Sequence, residues 1–537
     1  MLVIVIAARY FRPRFARPSI RPFEVAVAAF IVALVGAIAT TAWLSPPNSA
    51  DAMAYHLPRV VYWAQSGSVA FFPTPYFNQV MLSPMAEYLM LHTYVISGGD
   101  HFINLLTFAA WVFSTIAVSS VAGALGLGSR AQIIAALFCA TLPNGVLQAS
   151  GAKNDWLATL WLVTMVYFAL RRDAPLAGLA LGLALATKGT AYLIGPPLLA
   201  VTMLPRNRRT AAFLAAGVLL INTPQFVRNV RLSGSPLGYD SAHGDGVFRW
   251  RNEHPGWRSA VSNLIRNTTE QLGGRSQKRN QEVFDTAVRL HRALGLDPQD
   301  PATTWHDSVY QPPGDANHEA NANNRWHLLF IVIAIGAAAI RRRRDLLLYA
   351  AAVVTAFLLF CFYLKWQPYL SRLELPFFVL SAPLVGFLLE WVRPPALAVL
   401  ACLFLASTAR LPALQNWTRP LQGPASLFRT ARDDNYFNDM VQWNNRPTYF
   451  EAVARVAGSG CETVRIDIGE NPLEYPFQAL LRERRPYVRF THTGRACAVL
   501  CLDCAGKRGN IGGFAPPIPI GRFLLYFPAT PAPFVMP

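Results

Sequence analysis

Charge is scarce in this chain, and acidic charge scarcest: 15% of the 537 residues are charged, with 30 acidic against 48 basic side chains. Soluble domains carry about 25% charged residues, so the composition argues against a soluble globular protein. Cysteine is also sparse, with seven residues in all, too few for a disulfide-built scaffold. Neither a zinc-finger spacing, a recognition-helix pattern nor an RNA-binding aromatic motif occurs, which argues against a nucleic-acid partner. No convincing internal repeat is present, although transporters tend to show one. The apolar run at residues 1 to 8 precedes Arg9, Arg12, Arg14 and Arg17. That order is the reverse of a cleavable signal peptide, and the run is too short to span a bilayer.

Long apolar runs fill the space that charge vacates, and 53% of residues are hydrophobic. A bilayer core takes about 20 apolar residues per helix. Such stretches lie at 24 to 44, 101 to 125, 131 to 147, 156 to 170, 174 to 187, 190 to 204, 210 to 226, 326 to 340, 345 to 364, 373 to 391 and 395 to 410. The expected fold is a polytopic α-helical membrane protein with about eleven transmembrane helices. Sixteen basic residues, at 9 to 21, 130, 171 and 172, 206 to 209, 341 to 344 and 393, fall in every second connection. By the positive-inside rule those connections and the amino terminus are cytoplasmic. Loops 45 to 100, 148 to 155, 227 to 325 and 365 to 372 then lie outside with the carboxyl terminus. The alternation requires a break at Lys188, because one span there would invert every later arginine cluster. Most of the +18 formal charge is therefore topogenic.

The chain divides into a transmembrane domain, 1 to 410, and an extracytoplasmic α/β domain, 411 to 537. In the latter, residues 464 to 468 alternate like a strand, 476 to 485 read as a short helix and 498 to 500 as a second strand. Cys461, Cys497, Cys501 and Cys504 lie there and suit disulfides, with three pairings open; the Cys501-Leu-Asp-Cys504 spacing also allows a redox or metal site. The loop 45 to 100 mixes prolines with aromatics, as short interfacial helices do. The loop 227 to 325 is polar, carries a helix near 280 to 294, and reads either as a cover over a site or as solvated chain.

Ionisable groups at a membrane rim are candidates for function. After the first span comes Asp51-Ala-Met-Ala-Tyr55-His56-Leu-Pro58-Arg59, then Gln79 and Glu87; after the third comes Lys153-Asn154-Asp155. Lys188, Arg228 and Arg372 follow the fifth, seventh and ninth spans. A carboxylate can deprotonate an acceptor while Lys and Arg hold a phosphate leaving group. The candidates are Asp51 and Asp155 as catalytic groups, and Tyr55, His56, Glu87, Lys188, Arg228 and Arg372 as substrate contacts. The plain alternatives are snorkelling side chains and topology-fixing ion pairs: Asp155 can pair with Lys153 or cap its helix, His56 can be a hydrogen-bonded interface residue, and Glu87 a helix-surface charge. Two carboxylates beside a phosphate can also hold a divalent cation, so the metal stays unassigned.

With these residues in hand, the chain resembles the C-type (GT-C) glycosyltransferases, which include protein O-mannosyltransferases and the lipid A aminoarabinose transferase. Their acidic motif in the first external loop is matched by Asp51 in Asp-Ala-Met-Ala-Tyr-His, and their second acid by Asp155 in Asn-Asp-Trp. Residues 182 to 189, 224 to 236 and 366 to 376 are similar to bacterial members. The resemblance covers residues 24 to 410. It implies an inverting transfer of a monosaccharide from a polyprenyl-phosphate donor, on the far side of a bacterial inner membrane, to a lipid, polysaccharide or protein acceptor. It implies Asp51 as general base and Lys188 and Arg372 as donor-phosphate contacts. Asp51 is followed by Ala where O-mannosyltransferases have an Asp-Glu pair, and the Trp-Trp-Asp motif of oligosaccharyltransferases is absent. The competing reading is a transporter or lipid flippase; a third is an anchoring protein that binds through its carboxyl-terminal domain.

Overall fold

The computed structural model describes residues 21–203, 208–239, 248–439, 441–468, 473–502, 504 and 509–529. The run at 1 to 8 and the arginines at 9, 12, 14, 17 and 206 lie outside these residues. Each of the eleven expected apolar stretches folds as helix. Five are long and apolar enough to cross a bilayer: Pro22–Leu44, Asn104–Ala124, Arg208–Ser233, Arg344–Tyr363 and Pro395–Leu414. The other six, Ser129–Ala140, Asp155–Leu170, Ala174–Thr187, Ala191–Thr202, Arg325–Ile340 and Leu375–Trp391, are shorter apolar helices. Among the described residues, helices of crossing length thus number five, not eleven. The expected span at 131 to 147 shows the cause: it stops at Ala140, and Pro143, preset for a first helical turn, starts a separate helix, Pro143–Gln148.

The chain leaves the helix at Lys188, whose backbone is extended at φ −156°, before Ala191–Thr202 begins. Ala174–Thr187 packs against Arg208–Ser233 at backbone distance. A Cβ on Gly217 would lie 2.3 Å from the Gly178 carbonyl carbon, and one on Gly182 would lie 2.6 Å from Gly217 O. Small residues permit such contact where both helices face lipid. Leu375–Trp391 is apolar and almost wholly buried, as a central helix must be.

The connections that carry the candidate residues gather at one end of the bundle, where they meet the carboxyl-terminal segment. The first loop holds a π turn, Ala52–His56, and helices Leu57–Ser66, Asn78–Met81 and Met85–Ser97. The loop 227 to 325 is not simply solvated: helices Trp257–Glu270 and Gln277–Ala293 pack within it. The described residues between 415 and 445 carry only short turns, and the α/β unit follows. Its strands are β1 (Thr463–Asp467), β2 (Arg489–Thr491), β3 (Ala498–Cys501), β4 (Ile518–Ile520) and β5 (Phe523–Tyr526), in spatial order β2-β1-β3-β5-β4. β1 is parallel to β2 and β3, and β5 is antiparallel to β3 and β4. The cysteines pair Cys461–Cys497 and Cys501–Cys504. That resolves the three open pairings and leaves no free CxxC thiols.

Candidate active site

Asp51 opens the π turn, and sequence explains the turn. Pro58 has no N–H, so the Ala54 carbonyl four residues back has no helical donor. The backbone widens instead, and Leu57 N–H bonds to Ala52 O in the i to i+5 register. Such π turns recur at functional sites.

Two acid–cation pairs form the floor of the site. Arg372, in the 3₁₀ turn Leu370–Arg372, donates from Nη1 to Asp51 Oδ2 at 2.6 Å. Lys188, held by the helix break, lies 2.5 Å from Asp155 Oδ1 and 3.1 Å from Asn154 Oδ1. Asp155 begins the helix Asp155–Leu170, where a negative charge suits the positive end of the helix dipole. Arg372 Nε and Asp155 Oδ2 are buried with no hydrogen-bond partner among the described residues, so both keep unused bonding capacity.

Burial raises the Asp51 carboxyl, but Arg372, Lys153, His56 and Lys188 outweigh it and hold the acid well below the usual carboxylate range. Arg372 moves upward: burial opposes its charge, while Asp51, Asp155 and Tyr55 more than compensate. Burial pulls the Lys188 ammonium down against Asp155, and Arg372 adds to the pull. Burial and Asp51 push Tyr55 well above its ordinary value and Tyr76 up to about 12, so both phenols stay neutral.

These groups line a cavity of about 1190 Å³. One part is polar, with Asp51, Tyr55, Tyr76, Lys153, Asn154, Lys188, His318, Glu319, Arg372 and Asp439. The other runs along Tyr192, Leu193, Phe226, Leu237, Tyr363 and Leu364, on apolar helices and their ends.

Asp51, Tyr55, Lys188 and Arg372 all meet at the cavity, with Asp155 bound to Lys188 at its edge. Three other candidates do not reach it. His56 and Glu87 are fully buried behind the wall, where His56 Nδ1 and Arg59 Nη1 lie 3.0 and 3.1 Å from Glu87 Oε1. Arg228 turns to Tyr88 and donates to its hydroxyl at 2.8 Å, while Gln225 and Asn229 of its helix line the cavity. Lys153 pairs not with Asp155 but with Glu319, at 2.6 Å.

Sequence reasoning missed Glu319, Arg419, His318 and Asp439. Arg419 is 1% exposed and ties its own segment to three others: its guanidinium donates to Asn48 Oδ1 at 2.7 Å, to Leu147 O at 3.0 Å and Ser150 Oγ at 3.2 Å, and to the Glu319 carboxylate. The only sequence signal was a lone arginine inside a Trp- and Pro-containing stretch. His318 donates from Nε2 to Asp439 at 2.9 Å because its Nδ1 accepts from Ala320 N–H. As for a divalent cation, no three His, Cys, Asp or Glu side chains gather to hold one among the described residues, and Asp51 and Asp155 each already face a cation. The donor set does not fit a metal.

No protein-family profile matches the chain, and no curated protein matches it. Solved structures do. ArnT from Cupriavidus metallidurans bound to undecaprenyl phosphate aligns over 93% of this chain and 97% of its own, with a TM-score of 0.53 and 14% identity. Its apo form aligns over 93% of this chain and 98% of its own, at a TM-score of 0.51 and 12% identity. The Archaeoglobus fulgidus oligosaccharyltransferase tethered to an acceptor peptide aligns over 87% of this chain and 64% of its own, at a TM-score of 0.45 and 14% identity. At such identity the likeness to ArnT is one of fold alone: a multi-pass helical membrane protein with a small carboxyl-terminal sheet.

Proposed function

We propose that this protein is an inverting glycosyltransferase that moves a monosaccharide from a polyprenyl-phosphate donor to an extracytoplasmic acceptor. One observation carries the reading: two acid–cation pairs sit side by side at a large cavity whose wall is mostly apolar. An isoprenoid chain would lie along Leu193, Phe226 and Leu364, and its phosphate beside Lys188 and Arg372. The fold shared with ArnT, solved with undecaprenyl phosphate bound, supports the same donor class.

The chemistry follows from the pairs. Asp51 takes the proton from the acceptor hydroxyl or amine as that atom bonds to the anomeric carbon. The bond from that carbon to the phosphate oxygen breaks, and polyprenyl phosphate leaves with the electron pair. A single displacement inverts the anomeric centre. Arg372 and Lys188 stabilise the charge that builds on the phosphate, Arg as a fork and Lys as a point charge. Arg372 also restrains Asp51 until donor arrives: a phosphate that shares the guanidinium relieves the carboxylate and raises its basicity.

The test is binding of undecaprenyl phosphate by purified protein in nanodiscs. Arg372→Ala and Lys188→Ala should each weaken it about 10- to 100-fold, the worth of a charge-assisted hydrogen bond. Unchanged affinity in both would reject the phosphate site. Orientation is tested separately. The alternation of the arginine clusters along the chain supports a site facing away from the cytoplasm. A membrane-impermeant maleimide should label Tyr487→Cys in intact cells and Ser129→Cys only after permeabilisation; the reverse pattern would invert the topology.

A further inference from the structure

The Ala54 carbonyl that Pro58 leaves without a helical donor does not stay empty. Gln79 Nε2 bonds to it at 3.0 Å, and the same amide donates to Glu474 Oε1 at 2.6 Å. Gln79 is fully buried and fastened on its other sides: Thr74 Oγ1 donates to its Oε1 at 2.8 Å, and Arg59 Nε donates to its backbone carbonyl. Glu474 belongs to the carboxyl-terminal unit, where it immediately precedes the helix Tyr475–Arg484. Its carboxylate also accepts from Tyr62 at 3.1 Å and from Gln478 at 3.2 Å, and lies 3.4 Å from His492 Nε2. His492 in turn contacts Ile466 O of β1 through Nδ1 at 2.9 Å. An unbroken hydrogen-bonded line thus runs from the central sheet, through His492, Glu474 and Gln79, into the π turn that starts at Asp51.

Two further contacts show that this docking is built and not incidental. The Gln65 amide pairs with both backbone groups of Phe490 on edge strand β2, at 2.9 and 2.6 Å. Leu473, next to Glu474, lines the catalytic cavity itself.

We infer that Glu474 is a positioning residue of the transfer site: by fixing Gln79 it holds the π turn that aims Asp51. The carboxyl-terminal α/β unit is therefore part of the catalytic machinery and not an appended binding module. The inference rests on Asp51 as the reactive acid. Glu474 suits the task as a carboxylate and not as an amide. Four donors converge on its two oxygens, and an amide would turn an N–H₂ toward two of them.

Full-length protein in nanodiscs tests this by hydrogen exchange. Glu474→Gln, nearly isosteric, should speed exchange of amides in residues 52–60 about tenfold or more, with β3 and β5 unchanged, since local opening can be separated from that of the sheet. Gln79→Ala, outside the carboxyl-terminal unit, should reproduce the pattern. In a transfer assay with a polyprenyl-phosphate sugar, both variants should lower kcat with the donor KM unchanged. Equal loosening of the sheet, or no change at 52–60, would overturn the positioning role. If Asp51→Asn transfers normally while Glu474→Gln still loosens 52–60, the assignment of Asp51 falls and the mechanical link stands.

Discussion

Asp51→Asn is expected to lower turnover about 10²- to 10⁴-fold, the usual worth of a positioned general base, with donor binding and fold retained. The amide keeps the shape of the side chain and an oxygen for Arg372, and removes only the charge and the basicity. Normal transfer by this variant would reject Asp51 as the base. The pH profile gives a second reading of the same pair. The folded Asp51 carboxyl is held well below its ordinary value by the surrounding cations, against the pull of burial. A depressed acid contributes stability above the unfolded value, and that contribution is lost as pH falls through the folded one. The free enzyme thus keeps Asp51 ionised down through mildly acidic pH, and the acid limb of kcat/KM should lie below the ordinary carboxylate range. Once donor phosphate draws Arg372 away, the acid rises. The acid limb of kcat, which reports the bound complex, should therefore lie at higher pH than that of kcat/KM. Coincident limbs would show that Arg372 never lets go of Asp51.

What the sequence made legible follows from local physics. Apolar length marks helices, so all eleven stretches were found; crossing length depends on where Pro and polar residues cut a helix, and the break at Pro143 was overlooked. The break at Lys188 was legible because the arginine clusters alternate around it. Asp51, Asp155, Lys188 and Arg372 stood out because ionised groups at a membrane rim need a reason. Their pairing did not, since Arg372 is 321 residues from Asp51. His56 and Glu87 were assigned to substrate because nothing in the sequence places Arg59 against them to form a closed, buried cluster. In the carboxyl-terminal unit, alternation revealed β1, and the short apolar run at 498 to 500 pointed to β3. β4 was hidden, because Ile518-Pro519-Ile520 carries a proline that only an edge strand accommodates. Asn267 and Asn416, each the first residue of an Asn-X-Thr triplet, are both buried.

Arg419→Met should be the most destabilising single change at this end of the molecule, at about 3–5 kcal/mol, the cost of removing one partner from a buried ion pair. The substitution leaves Asn48, Ser150 and the Leu147 carbonyl without their shared donor, and it leaves Glu319 with Lys153 alone. Burial raises the Glu319 carboxyl, yet Arg419 and Lys153 outweigh it and hold it far below its usual range; losing Arg419 gives part of that back. Asn48 lies three residues before Asp51, and its amide also donates to Thr418 O at 3.1 Å and to Asn435 O at 2.9 Å. Transfer should therefore fall together with thermal stability. Adding Glu319→Gln removes the stranded charge, so the double variant should be less destabilised than the sum of the single ones, by about 0.5–3 kcal/mol for residues in direct contact. Strict additivity in thermal unfolding would mean that Arg419 acts through packing alone and that the four segments around the site are held by other contacts.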